Sequence, residues 1–144
     1  MKIAVFCGSS YGDDPKYAEC ARDVGRYMAS QGIDLVFGGG KVGLMGEIAD
    51  AVLAGGGQVF GVIPESLRDR ELAHPGLTDL KVVSGMHERK ALMAAQADAF
   101  VALPGGPGTM DELFEAWTWA QLGYHDKPCA IYNAFGYYDS LLSF

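Results

Sequence analysis

The sequence has little cysteine, few basic residues and no long apolar run. Its three cysteines, Cys7, Cys20 and Cys129, have neither metal-ligand nor CxxC spacing, which favours a cytoplasmic protein with reduced thiols. Only 11 Lys and Arg residues stand against 18 Asp and Glu, for a net charge of -7, so we expect no nucleic-acid or membrane partner. No stretch reaches the ~18 apolar residues of a transmembrane span, and the N-terminal apolar stretch is too short for a signal peptide.

Glycine, in contrast, is abundant, with 20 of the 144 residues, about twice the typical ~7%. The glycines cluster at loop positions, which indicates close approach of the backbone to another group rather than disorder. The length predicts one domain over residues 1–144. The chain ends in "YYDSLLSF", inside a helical pattern, so either the protein is short or a C-terminal piece is missing.

Apolar runs alternate with helical patterns along the whole chain. The predicted strands are residues 2–6, 33–37, 58–63, 80–83, 99–103 and 129–132. The predicted helices are residues 16–31, 86–96, 109–122 and one that begins near Tyr137. A further helix is predicted to follow the glycine loop 38–46 and to end at residues 54–57, and residues 65–78 are predicted as a loop. Strands that are apolar throughout predict an α/β fold: a doubly wound, Rossmann-like parallel sheet with helices on both faces.

The stretch "PGGPGTMDE" (104–112) lies between a predicted strand and a helix. Backbone N–H groups at a helix start, together with the helix dipole, bind phosphate. Thr109 is a candidate N-cap, and Glu112 lies three residues later, as in a capping box. The alternative is that Glu112 faces a ligand, because Glu112, Glu115 and Thr118 share one helix flank.

A second glycine loop, "GGGKVGLMG" (38–46), contains the GxGxxG pattern at Gly38, Gly40 and Gly43. It follows the second strand rather than the first, and Lys41 is followed by valine, so neither the dinucleotide fingerprint nor the P-loop is matched. Its glycines serve either tight helix–strand packing or phosphate binding.

The stretch "SGMHERKALM" (84–93) places His87, Arg89 and Lys90 at the start of a helix. Cations there oppose the helix dipole, which indicates either an anionic ligand or a solvated charged turn. His87 has no partners for a metal site.

These three stretches together resemble the signatures of the LOG ("lonely guy") family, the cytokinin riboside 5′-monophosphate phosphoribohydrolases long mislabelled as lysine decarboxylases. The resemblance covers nearly the whole chain, from "VFCGSS" to "YYDSLL". It departs at Pro107, which occupies a variable motif position. It implies hydrolysis of the N-glycosidic bond of AMP or N6-substituted adenosine 5′-monophosphates to free base and ribose 5-phosphate, without metal or other cofactor.

The resemblance also implies roles for individual residues. It makes Arg89 and Glu112 catalytic. The predicted substrate-binding set combines these implied contacts with the two glycine loops: Gly39, Gly40, Gly43, Glu71, Arg89, Lys90, Gly105, Gly106, Pro107, Gly108, Thr109, Glu112 and Thr118.

The family further implies a homodimer, with sites near an interface formed by helices 86–96 and 109–122; larger assemblies occur in it. The alternative from another class is a non-catalytic nucleotide or molybdenum-cofactor carrier of similar fold, which uses similar glycine loops without hydrolysis. A lysine decarboxylase would need a Schiff-base lysine, and anion sites already account for Lys41 and Lys90.

Overall fold

The chain folds into six strands and six α-helices that alternate along most of its length. The computed structural model describes all residues, 1–144. The strands are β1 Lys2–Phe6, β2 Asp34–Phe37, β3 Val59–Pro64, β4 Asp79–Val83, β5 Ala99–Ala102 and β6 Cys129–Ile131. The helices are α1 Pro15–Ser30, α2 Gly43–Ala54, α3 Glu65–Arg68, α4 Met86–Gln96, α5 Pro107–Gln121 and α6 Asp139–Ser143, with a 3₁₀ turn at Ala134–Gly136.

All six strands are parallel and form one sheet in the order β4-β3-β2-β1-β5-β6. The predicted doubly wound, Rossmann-like fold is therefore confirmed. The strand order reverses between β1 and β5, where Phe6 pairs with Ala102. Ligands of such sheets bind beyond the carboxyl ends of the strands at this switch point.

Two apolar layers cover the two faces of the sheet. One packs α1 and α2 against the strands and includes Leu35, Phe37, Ile48 and Val52. The other packs α4 and α5 and includes Val62, Met93, Phe100 and Leu113. Because the inner strands β1, β2, β3 and β5 are largely buried on both faces, their residues are mostly apolar rather than alternating. The rigid sheet holds the loops at its carboxyl edge in fixed positions.

Most element boundaries agree with the sequence pattern to within one or two residues. Asp14 caps α1 by accepting from the Lys16 N–H at 2.9 Å, and Pro15 occupies the first helical position. Gly32, at φ +66°, follows the helix in the left-handed conformation that glycine adopts without cost. The predicted loop 65–78 is wrong over its first four residues, which form α3 after Pro64.

The predicted start of α5 is also wrong. The helix begins at Pro107 with Gly106 as the N-cap, and no side chain caps it. Thr109 is therefore the third helical residue and is buried, so the capping box with Glu112 is not formed. The reason is that proline is preorganised for the first helical position, where its missing N–H is not needed. Glu112 consequently lies in the second turn, free of any capping role.

Candidate active site

A cleft of about 480 Å³ opens at the switch point of the sheet. One wall is the loop after β1, with Gly8, Ser9 and Ser10, and the other is the loop after β5, with Gly105, Gly106 and Pro107. Tyr17 and Tyr137 also line the cleft. The phosphate loop predicted at 104–112 therefore lies where this fold places its ligands.

The N-terminus of α5 presents free hydrogen-bond donors to this cleft. The N–H groups of Gly106, Gly108 and Thr109 have no acceptor within the chain, and a Cβ at Gly106 or Gly108 would meet no atom within 4 Å. Unpaired amides at the positive end of a helix dipole attract an anion. This segment can hold a phosphate.

The backbone of the phosphate loop is fixed from two sides. A Cβ at Gly105 would collide with the Thr109 side chain, so the loop packs tightly against its own helix. The Tyr137 hydroxyl donates to the Gly105 carbonyl at 2.7 Å, and the Tyr138 hydroxyl donates to the Leu103 carbonyl at 2.6 Å. The donors of α5 are therefore held in place before any ligand arrives.

Two glycine substitutions should separate packing from ligand access in this loop. Gly108→Ala should leave the melting temperature unchanged or slightly raised, because a helical glycine loses more entropy on folding. Its methyl group would enter the space above the free amides and weaken inorganic phosphate binding by about tenfold. Gly105→Ala should instead lower stability by about 1–3 kcal/mol. Calorimetry and phosphate titration measure both effects, and unchanged phosphate affinity in Gly108→Ala would place the anion elsewhere.

Arg89, on α4, is buried, with 3% of its surface exposed. Its guanidinium donates to the Val62 carbonyl at 3.0 Å and the Gly38 carbonyl at 2.6 Å. It also pairs with Glu71 at 3.2 Å. A Cβ at position 38 would collide with the guanidinium. The predicted site residues Arg89 and Glu71 are thus brought together, and Gly38 is glycine so that Arg89 can reach them.

Glu112 is half-buried, and its carboxylate makes no hydrogen bond within the chain. Burial raises its pKa to about 7; Glu71 and Asp111 add to the rise, while Arg89 and Lys90 oppose it. The buried Cys7 thiol lies close enough for Glu112 to contribute to the rise of its pKa above the usual range, after burial itself. A carboxylate of this kind, able to gain or lose a proton near neutral pH, is typical of catalytic acids and bases.

Lys90 bridges α4 and α5 rather than standing free for an anion. Its ammonium binds Glu115 at 2.8 Å and Asp111 at 3.2 Å. The hydrogen bond to Glu115 is the main cause of the raised Lys90 pKa. Thr118, the last of the predicted contacts, is exposed one turn further along α5. Roles for Lys90 and Thr118 as ligand contacts remain predictions.

The other glycine loop makes contacts that support the packing interpretation. At the start of α2, the Leu44 N–H donates to the Ser10 carbonyl and the Met45 N–H to the Gly8 carbonyl. Gly43 has φ +71°, and a Cβ there would collide with the loop after β1. The amides of Leu44 and Met45 at this helix start are thus occupied by protein acceptors, whereas the Gly43 N–H has none, so ligand contacts at Gly39, Gly40 and Gly43 remain predictions.

Ser9, Ser10 and Tyr137 line the cleft but are absent from the predicted substrate-binding set. The serines lie in "CGSS", directly after the first strand, and that position was the available signal. Tyr137 reaches the cleft from a segment 32 residues after Gly105, and no local pattern indicates such a contact.

No group of three or more His, Cys, Asp or Glu side chains is placed to hold a metal ion. None of the helices is both long enough and apolar enough to span a lipid bilayer.

Comparisons with known proteins agree with the motifs. The family model described as "Possible lysine decarboxylase" matches residues 45–144. The chain is 54% identical to the Arabidopsis thaliana cytokinin riboside 5′-monophosphate phosphoribohydrolase LOG1, over 99% of this chain and 67% of that protein. It is also 54% identical to a probable rice enzyme of the same name, LOGL1 from Oryza sativa subsp. japonica, over 99% of this chain and 64% of that protein.

Among solved structures, the molybdenum-cofactor carrier protein of Chlamydomonas reinhardtii has the same fold. It superposes with a TM-score of 0.74 at 23% identity, over 99% of this chain and 84% of that one. Identity at this level shows the fold alone.

The chain spans between 57% and 67% of the lengths of eight curated relatives that it matches. The family model matches residues 45–144, and 99% of this chain aligns with LOG1 at 54% identity. The chain therefore belongs to the LOG family, whose curated members are named cytokinin riboside 5′-monophosphate phosphoribohydrolases.

Proposed function

We propose that the protein hydrolyses the N-glycosidic bond of AMP and of N6-substituted adenosine 5′-monophosphates, the cytokinin riboside 5′-monophosphates. One observation carries the proposal. The half-buried Glu112, without a hydrogen-bond partner and with its pKa raised to about 7, follows the last free amide of the α5 N-terminus, at Thr109, by three residues. An anion site and a reactive carboxylate thus lie within about one helical turn.

The 5′-phosphate fits the start of α5. The free N–H groups of Gly106, Gly108 and Thr109 can bind its oxygens, assisted by the helix dipole. Binding the phosphate fixes the ribose relative to α5, and this remote binding energy can be used to position C1′. The net charge of -7 does not prevent this, because the donors are backbone dipoles.

Glu112 supplies the chemistry at C1′. As the C1′–N bond breaks, its electron pair leaves with the base and positive charge develops on the ribose, as in other glycosyl transfers. The ionised carboxylate stabilises that charge. It can also accept a proton from the water that adds to C1′, and a pKa near neutrality suits that transfer. The departing base takes up one proton, which balances the proton lost by the water, so the products are the neutral free base and ribose 5-phosphate.

Arg89 acts on Glu112 through its charge. Its hydrogen bonds to Gly38, Val62 and Glu71 occupy most of its donors, which leaves little for a phosphate. Its positive charge is the strongest influence that lowers the Glu112 pKa, so it favours the ionised carboxylate. Of the roles open to this arginine, the contacts support the one that acts through Glu112.

Release of free base from purified protein tests the proposal. AMP and isopentenyladenosine 5′-monophosphate should yield adenine and isopentenyladenine, whereas adenosine, which lacks the phosphate, should react at least about 10²-fold more slowly. Chromatography of the products measures both. Absence of base release from folded protein, or tight nucleotide binding without turnover, would contradict the enzyme and favour a carrier.

We infer a homodimer through α4 and α5, because Phe114 and Trp117 on α5 and Met86 on α4 are exposed, and exposed aromatic residues are typical of protein interfaces. A monomeric mass in solution at micromolar concentration would contradict it.

Three free cysteines support a reducing, cytoplasmic location, which fractionation of cells can test.

A further inference from the structure

Residues 69–76, here called the strap, cross the sheet edge between α3 and β4 and carry Glu71. The strap pairs with the glycine loop 38–46 through two backbone hydrogen bonds. The Lys41 N–H donates to the Leu72 carbonyl and the His74 N–H donates to the Gly39 carbonyl, both at 2.8 Å, which places Gly40 opposite Ala73. This pairing brings the Glu71 carboxylate to Arg89.

The backbone of the strap is not in a relaxed conformation. Leu72 has φ +52°, a left-handed conformation that costs a non-glycine residue about 1–2 kcal/mol. A Cβ at Gly40 would lie 3.1 Å from the Glu71 carbonyl oxygen, so the two segments are tightly packed. Such a conformation persists only where the surroundings fix it. The strap therefore needs an anchor beyond Glu71.

His74 provides that anchor. Its ring is buried, with 9% of its surface exposed, and its Nδ1 accepts from the Gly76 N–H at 3.0 Å. The proton must then be on Nε2, which donates to Asp50 Oδ1 at 2.6 Å. Asp50 belongs to α2, so one imidazole connects the strap to a helix of the rigid core. Hydrogen bonds to a charged acceptor are stronger than neutral ones.

We propose that His74 and Asp50 are positioning residues that hold Glu71 against Arg89 and thereby set the charge around Glu112. The proposal rests on the proposed function, since Glu112 matters only if the protein is the hydrolase. Glu71 raises the pKa of Glu112 and Arg89 lowers it. Displacement of the strap would separate Glu71 from its partner Arg89 and so change both effects on Glu112. His74 itself does not touch the cleft, and the amides of α5 that bind phosphate are independent of it.

A matched pair of variants tests the anchor. In the His74→Gln variant, the amide nitrogen of the new side chain can take the place of Nε2 and still reach Asp50. In the His74→Asn variant, the shorter side chain keeps only the acceptor near Nδ1 that serves the Gly76 N–H. We expect His74→Asn to lower kcat by about tenfold with KM changed by less than about twofold, and His74→Gln to regain most of that loss. Glu47→Ala, which removes a bond between the same helix and Arg22, is the control and should keep its activity.

A double-mutant cycle with Glu71→Ala distinguishes positioning from a general loss of stability. In the Glu71→Ala background, His74→Asn should cost less than about twofold further. An equal loss in both backgrounds, or equal activity of the Gln and Asn variants, would overturn the proposal.

Limited trypsin digestion tests the strap without reference to catalysis. Cleavage after the exposed Arg70 should be about tenfold faster in His74→Asn than in the wild type, since the strap opens locally. If the wild type releases no base, the proposed function fails while this measurement still reports on the anchor. Unchanged cleavage would overturn the anchor itself.

Discussion

Replacing Glu112 with glutamine should lower kcat for base release from AMP by about 10³ and leave the protein folded. Glutamine has nearly the same shape but cannot carry the negative charge or accept the proton at C1′. Because Gly106, not Thr109, caps α5, loss of the carboxylate breaks no capping interaction. The measurement is product formation under saturating AMP. Glu47→Gln, a carboxylate on α2 that pairs with Arg22 outside the site, is the control and should retain most activity.

The same substitution should also change stability in a pH-dependent way. The folded pKa of Glu112 is raised from 4.5 to about 7, so the folded state holds a proton that the unfolded state has already lost. Ionisation of Glu112 therefore costs stability progressively as pH rises from about 4.5 to 7, to an upper limit of about 3 kcal/mol. Glu112→Gln removes that cost. Its melting temperature relative to wild type should rise between pH 5 and pH 8, and a constant difference would contradict the raised pKa.

Replacing Arg89 with methionine should have the largest effect on stability. It would leave the Glu71 carboxylate unpaired and the carbonyls of Gly38 and Val62 without their donor. Breaking a buried ion pair in this way costs about 3–5 kcal/mol. Thermal unfolding measures it, and we expect a fall in melting temperature on the order of 10 °C.

Activity of Arg89→Met should fall as well, and the pH profile should show why. Without the arginine charge the pKa of Glu112 rises further. The pH at which activity reaches half of its maximum should therefore move to a higher value. The matched control is Arg22→Met, which removes a surface pair with Glu47 at 3.0 Å and should cost less than about 1 kcal/mol. If Arg89→Met and Arg22→Met lose the same stability, the buried pair does not have the role described.

The sheet could be predicted because the sequence pattern of each strand and helix lies within that element. Each strand is an apolar run and each helix has its own periodicity, and parallel pairing follows from their alternation. The start of α5 was mispredicted because two local signals compete. Thr109 with Glu112 matches a capping box, but Gly106 and Pro107 form a better start because proline already has the required φ. The structure shows the second signal to be decisive.

The residues proposed for the candidate site follow from motifs in the sequence, but their contacts do not. The catalytic roles of Arg89 and Glu112 are implied by the family resemblance and stay predictions. The hydrogen bond from Arg89 to Gly38, across 51 residues, and the contact of His74 with Asp50, across 24 residues, depend on tertiary packing that no spacing rule describes. Lys90 was expected to meet an anionic ligand; in the structure its ammonium instead meets the carboxylates of Asp111 and Glu115.

The packing of the Arg89 guanidinium over Gly38 has a consequence for how the family's motifs can vary. The glycine loop and the helix that carries Arg89 form a single steric unit, because any side chain at position 38 would occupy the space of the guanidinium. Position 38 is therefore restricted to glycine for as long as position 89 is arginine. Where a related chain carries a small residue at the place of Arg89, that restriction is lifted, so a side chain at the place of Gly38 should occur only in chains without the arginine. Correlated variation at this pair, rather than the presence of either motif alone, would mark which relatives retain the same site.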